Sequence, residues 1–257
     1  MFTNRRRTWY GVLWLLGALL LAAAACGESG EDGSVSPSCD AFDGFDSYRY
    51  SISVKMQLPS LQTSADATPG PALGAFADSL AALLSDFKID GAYVAPDRRQ
   101  AVLDFQGDQV ELREVGEQRW ERFGETWEPL AADSPDIDDL SPELVCTDLV
   151  EAVAPSLAPA GAEAEDVNGV SAQRYSIDRT NVDRIGDILG VGDGTELPEQ
   201  FAVDVWFASD GDWPVRLEVR SQTADPAGAV GAVEFVMELR DVNDSAITID
   251  DPAASDS

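Results

Sequence analysis

Three cysteines, Cys26, Cys39 and Cys146, are the residues best suited to covalent chemistry, and no histidine accompanies them. The absence of histidine removes the usual general base, the commonest transition-metal ligand and the Ser-His-Asp arrangement together. Lys55 and Lys88 are left as candidates for a Ser-Lys dyad, but Lys55 falls on the polar side of a strand pattern with no motif around it. Carboxylates are plentiful, yet a glycosidase pair or a calcium site needs particular separations in space that abundance does not supply. The segments Asp133 to Asp139 and Asp241 to Asp251 lack the spacing of an EF-hand loop and read as solvated loops. No catalytic residue, metal site or cofactor is therefore expected, and the chain is read as a non-enzyme. An extracytoplasmic hydrolase is the contrary reading; it requires two acidic side chains converging in a cleft with raised pKa values.

The surroundings of Cys26 define its chemistry. Arg5, Arg6 and Arg7 precede an apolar run from Trp9 to Leu21, and small residues Ala22 to Ala25 lead into the cysteine, the pattern of an export signal. This stretch resembles the lipobox of bacterial lipoproteins. The resemblance implies that the Cys26 thiol receives a diacylglyceryl group, that residues 1–25 are removed, and that the new amino terminus is acylated as well, by a fatty acid such as palmitate. Each buried methylene adds about 0.8 kcal/mol, so two or three chains anchor a protein firmly. An uncleaved transmembrane segment is the alternative, since Trp9 to Ala25 spans 17 residues, the lower limit for crossing a bilayer. Residues 26–38 read as the lipidated cysteine and a tether, GESGEDGSVSPS, with almost nothing to bury. The place expected is the extracytoplasmic face of a cell membrane, in a periplasm or at a cell surface.

Of the 17 basic residues, three lie in the signal, which leaves 14 against 47 acidic ones in the mature chain. Such a surface is repelled by phosphate backbones and anionic headgroups, and no nucleic-acid partner is expected. With Cys26 lipidated in an oxidising compartment, Cys39 and Cys146 form the natural disulfide pair, two free thiols being the other possibility. The bridge would tie the tether to a helix.

Stepwise alternation in Ser47 to Leu58, with Tyr48, Tyr50, Ile52, Val54, Met56 and Leu58 on one side, predicts a half-buried strand. A Pro/Gly/Ala/Ser-rich stretch precedes Leu73 to Phe87, where a 3.6 period predicts an amphipathic helix, either a movable lid or a fixed packing element. Four short strand patterns follow, FKIDGAYV, QAVLDF, QVELREV and QRWERF, separated by turn formers. Ser141 and Pro142 suit the N-cap and first position of a helix to about Val153, ended by Pro155. Asn168-Gly169 predicts a hairpin between AEAEDV and VSAQRYSID, and a short helix is expected over Val182 to Leu189. FAVDVWF, WPVRLEVR, GAVEFVMELR and SAITID complete ten or eleven strands. A single domain over residues 39–250 is expected, with a disordered tail at 251–257.

The order of elements, carried by FDSYRYSISVKM, KIDGAYVAPDRRQAVLDF, QVELREVGEQRWERFGETW, FAVDVWFASDGDWPVRLEV and VEFVMELRDVN, resembles the LolA-like fold, including actinobacterial LppX/LprG-type lipoproteins, over roughly Cys39 to Pro252. The resemblance implies an α+β protein in which a curled antiparallel half-barrel wraps around two or three helices, with apolar space for acyl chains between them. A lipid or acylated ligand, and lipid or lipoprotein transport, are then expected. Ile52, Val54, Met56, Leu103, Phe105, Val203, Val205, Phe207, Leu217, Phe235 and Met237 are the candidates for the concave face; ordinary core is the other role open to each. Trp120, Trp127, Trp206 and Trp213 are candidates for a pocket mouth, stapling of sheet edges and turns being the other role open to them. A non-transporting envelope sensor or protein-interaction module of the same fold is the alternative function.

Overall fold

The computed structural model describes residues 39–57, 86–105, 107–131, 134, 136–160, 164–177, 200–211, 213–224 and 230–254. The alternating sequence from Ser47 needs one wet and one dry side, and it finds them in a single open antiparallel sheet. Its strands are β1 (Ser47–Gln57), β2 (Asp86–Val94), β3 (Arg98–Phe105), β4 (Asp108–Val115), β5 (Gln118–Arg122), β6 (Trp127–Pro129), β7 (Leu157–Pro159), β8 (Glu165–Val167), β9 (Val170–Ile177), β10 (Gln200–Ala208), β11 (Pro214–Ala224) and β12 (Val230–Arg240). Their order is β6-β5-β4-β3-β2-β1-β12-β11-β10-β9-β7, with β8 also paired to β9. First and last strands therefore meet in the middle, and a meander of hairpins grows outward on each side.

Local chemistry accounts for the turns. Asn168 and Gly169 have φ of 55° and 83°, the left-handed pair a two-residue hairpin needs. Gly91 stands opposite Tyr50, whose ring covers it so closely that any Cβ there would lie 2.0 Å from the ring. The glycine is a seat for the tyrosine.

Ser141 caps a helical run, its Oγ accepting from the Leu144 N–H, with Pro142 at the start. The run comprises α1 (Pro142–Val145), a widened π turn (Cys146–Val150), α2 (Glu151–Val153) and a 3₁₀ turn (Ala154–Ser156). Val145, Val150 and Val153 join the same hydrophobic core as the sheet's Leu239, Met237 and Leu217. Cys146 in the π turn is bonded to Cys39, at the head of a 3₁₀ turn (Cys39–Gly44). Phe42, Phe45, Tyr48 and Trp213 pack edge to face beside it.

Four expectations are corrected. Phe87, shared by the predicted helix and the predicted strand FKIDGAYV, lies with Asp86 in β2, opposite Val54 and Phe105, because its side chain serves the sheet's apolar side; residues 73–85 of that helix, and Val182 to Leu189, lie outside the described residues. SAITID is not a strand. Turns with positive φ at Asp241 and Asn243 carry the chain away from β12, and Ile247 and Ile249 are buried while Arg98 and Arg113 bond the carbonyls of Ile249 and Asp250. Strands β6 and β7, too short for a pattern, raise the count to twelve among the described residues. Pro252–Ala254 forms a 3₁₀ turn with Pro252 buried, so residues 251–254 are ordered.

Two buried tyrosines join sheet and helical run. Tyr48 donates to Glu143 Oε1 at 3.0 Å. Burial first, then the Glu143 charge, pushes its phenol far above the usual range; burial and the Asp138 charge do the same for Tyr50. Above pH 10 the unfolded chain releases these protons and the native one keeps them. Stability should therefore be intact below about pH 10 and fall above it by about 1.4 kcal/mol per pH unit for each tyrosine. Urea unfolding between pH 9 and 11.5 checks this, and Tyr48→Phe should make the decline shallower.

Candidate functional site

The register aligns apolar side chains across strands. Val110, Leu103, Ile89, Ile52, Met237, Leu217, Val205 and Tyr175 form one unbroken row from β4 to β9. A second row beside it runs Phe105, Phe87, Val54, Phe235, Val219 and Val203. A third, at the strand ends, runs Met56, Val233, Ser221 and Phe201. Because strand side chains alternate with period two, all three rows share one face. All eleven candidates from the sequence fall on it, ten in these rows and Phe207 toward the disulfide end, its ring 5.6 Å from that of Tyr175.

Burial is uneven along this face. Ile52, Leu103, Val205, Leu217 and Met237 are buried, the last three completely. In the outer two rows the flanks are buried, at Phe87 and Phe105 on one side and Phe201 and Val203 on the other. Between them Val54, Met56, Val219 and Phe235 are only half-buried, and Val233 is 36% exposed. The result is an apolar trough between dry walls, at the end of the sheet away from Cys39. Apart from the Ser221 hydroxyl it offers a ligand only van der Waals and hydrophobic contact, which suits an aliphatic chain.

The opposite face is ionic. One row crosses it from β6 to β9: Trp127, Arg122, Glu111, Val102, Asp90, Ser51, Glu238, Arg216, Trp206 and Arg174. Arg113 and Arg122 lie over the Trp127 ring, and Arg174 and Arg216 over the Trp206 ring. Trp206 Nε1 donates to Glu165, Trp120 is buried in the adjoining polar-face row opposite Arg113, and Trp213 packs on Phe45. None of the four tryptophans sits in the apolar rows. They serve as platforms for arginines or as packing, the stapling role rather than the pocket mouth.

Two buried carboxylates organise this face. Glu111 is held by Arg113 and Arg122, and Asp204 by Arg174, Arg220 and Ser176. Burial alone would raise the Asp204 pKa, but the bonds from Ser176, Arg174 and Arg220 outweigh it and hold the carboxyl below its ordinary value. Asp204 is thus a fixed anion, a poor proton donor near neutral pH. Sequence reasoning missed this network; its signal was the Arg216, Glu218, Arg220 and Glu111, Arg113 alternation on polar strand positions.

Two of the three raised carboxyl pKa values among the described residues coincide at one cluster, the third being Asp148, lifted by burial alone. Burial lifts Glu114 and Asp138, Asp136 adds to both, and Arg99 opposes. Arg99 stands between the two, 2.6 Å from Asp138 and 3.7 Å from Glu114. It fills the place a reacting group would need, and the cluster reads as an ion network joining β3, β4 and the turn before α1. Among the described residues no group of three His, Cys, Asp or Glu side chains is arranged to hold a metal ion. Cys26 and the tether lie outside the described residues, and no described helix is long and apolar enough to cross a membrane.

No family model matches this chain, and no curated protein matches it in sequence. Among solved structures, the crystal structure of LprF from Mycobacterium bovis is similar over 86% of this chain and 99% of its own, at 16% identity and a TM-score of 0.42. The complex of Pseudomonas aeruginosa MucA/MucB is similar over 82% of this chain and 58% of its own, at 10% identity and a TM-score of 0.32. Neither likeness assigns a function or a residue role to this chain.

Proposed function

We propose that this protein is a non-enzymatic envelope lipoprotein, anchored on the extracytoplasmic side through acylated Cys26, that binds a lipid or another acylated molecule along the apolar trough and takes part in its movement. The observation that carries the reading is the half-open centre of the apolar rows, where Val54, Met56, Val233 and Phe235 sit between the buried walls Phe87–Phe105 and Phe201–Val203. A sheet that needed only a core has no reason to leave its middle strands less covered than its flanks. In this reading helices close the apolar face, and the helical run Pro142–Ser156 supports it by contributing Val145, Val150 and Val153 to the core at the disulfide end.

The test is binding of a fluorescent fatty acid, together with mass spectrometry of organic extracts of the purified protein. Saturable micromolar binding that weakens at least tenfold in a Met56→Asp, Phe235→Asp variant is expected. Absence of both extracted lipid and probe binding would overturn the reading and leave an interaction module.

A further inference from the structure

We propose that the polar face carries a second site, a depression of about 630 Å³ at the ends of β1, β12, β11 and β10, which binds a neutral, hydroxyl-rich ligand of the oligosaccharide class. Its volume lies within the range of small-molecule pockets. Two neighbouring register rows build it. In one, Lys55, Glu234 and Arg220 run up to Ala202; in the other, Gln57 is followed by Ala232, then Gln222 and Gln200. Ala202 and Ala232 form the floor because they are the short side chains, and the long polar ones around them stand up as walls. Phe201, Ser221 and Val233 also line it where they alternate with these residues along β10, β11 and β12, their side chains belonging to the apolar face.

Charge selects the ligand class. Arg220 is committed to Asp204 at 2.8 Å and Glu218 at 3.2 Å, and Lys55 faces Glu234 at 3.9 Å. Every cation at the site thus already has a carboxylate, and an anionic ligand gains little. What remains available is the set of three exposed amides. Each carries a donor and an acceptor on one planar group, the pairing that adjacent hydroxyls satisfy. The alanine floor suits the C–H face of a sugar ring. A hydrocarbon tail would leave the amides unpaired. The amides stand on the face opposite the trough, and the test does not depend on the lipid reading.

The experiment is amide-shift titration of the isotopically labelled protein with maltotriose, cellotriose and chitotriose at millimolar concentration, with inorganic phosphate as the charged control. At least one trisaccharide should give saturable shifts at residues 200–202, 220–222 and 232–234, weakened at least tenfold by Gln222→Ala and by Ala232→Leu, while phosphate gives none. Fatty-acid binding should be unchanged in Gln222→Ala. Where Ala232→Leu fails to fold, Gln222→Ala alone decides, since its side chain is exposed. No saturable shift from any of the three sugars, equal shifts with phosphate, or full retention in Gln222→Ala overturns the proposal.

Discussion

Replacing Cys39 and Cys146 together by alanine is expected to remove about 4–5 kcal/mol of stability, the chain-entropy value for a closed loop of this length, and to lower Tm by roughly 10–20 °C in a domain of this size. The bridge joins residues separated by 107 positions. Everything from β1 to β6 lies inside that loop, so half of the sheet is constrained in the unfolded chain. The native state also depends on it locally. Cys146 is fully buried in the π turn, and Cys39 opens the turn that delivers Phe42 and Phe45 to the aromatic cluster around Tyr48 and Trp213. Serine at position 146 should cost more than alanine, because it buries a hydroxyl where a sulfur had packed. Urea unfolding of the oxidised protein, the reduced protein and the double variant measures the term. A loss below about 1 kcal/mol would contradict it, being well under what closing so long a loop supplies.

The second large effect separates core from ligand wall on one face. Leu217→Ala and Met237→Ala should each cost about 2–5 kcal/mol, because both side chains are wholly buried and truncation leaves a cavity in the central row. Val54→Ala and Met56→Ala sit two and four residues along β1 from Ile52 on the same face, but they are half-buried and should cost under about 1 kcal/mol, in proportion to the smaller apolar area they lose. Fatty-acid affinity should follow the reverse order: little changed by the central pair, and reduced by Met56→Asp or Phe235→Asp. Chemical denaturation and probe titration on the same four alanine variants decide the matter. If Val54→Ala and Met56→Ala destabilise as much as Leu217→Ala, the trough is ordinary core and the ligand reading falls.

The two series also show where pattern and packing part company. Ile52, Val54 and Met56 are indistinguishable in the sequence, since alternation fixes which side of a strand a residue faces and nothing about depth along it. Depth follows from what the register places next to them. Ile52 lies between Ile89 and Met237 in the dry central row, whereas Met56 lies beside Val233 near the strand end. The ionic face was less legible still. Asp204 looks like any polar strand residue, and only pairing across β9, β10 and β11 brings Ser176, Arg174 and Arg220 onto it. Phe87 marks the opposite failure: an apolar residue at the junction of two patterns satisfies both periods, and the pairing with Val54 and Phe105 decided for the strand.

Short-range chemistry in the sequence determined much of this protein: the alternation of β1, the Asn168-Gly169 hairpin, the Ser141-Pro142 helix start, the absence of histidine, and which eleven residues share one face. These are set by backbone sterics, side-chain period and composition, all local to a few residues. Tertiary structure alone decided the meeting of β1 with β12, the trough in the middle strands, the two arginine-held carboxylates and the depression floored by Ala202 and Ala232. Each of those joins residues far apart in the chain, and only a register spanning the whole sheet brings them within contact distance.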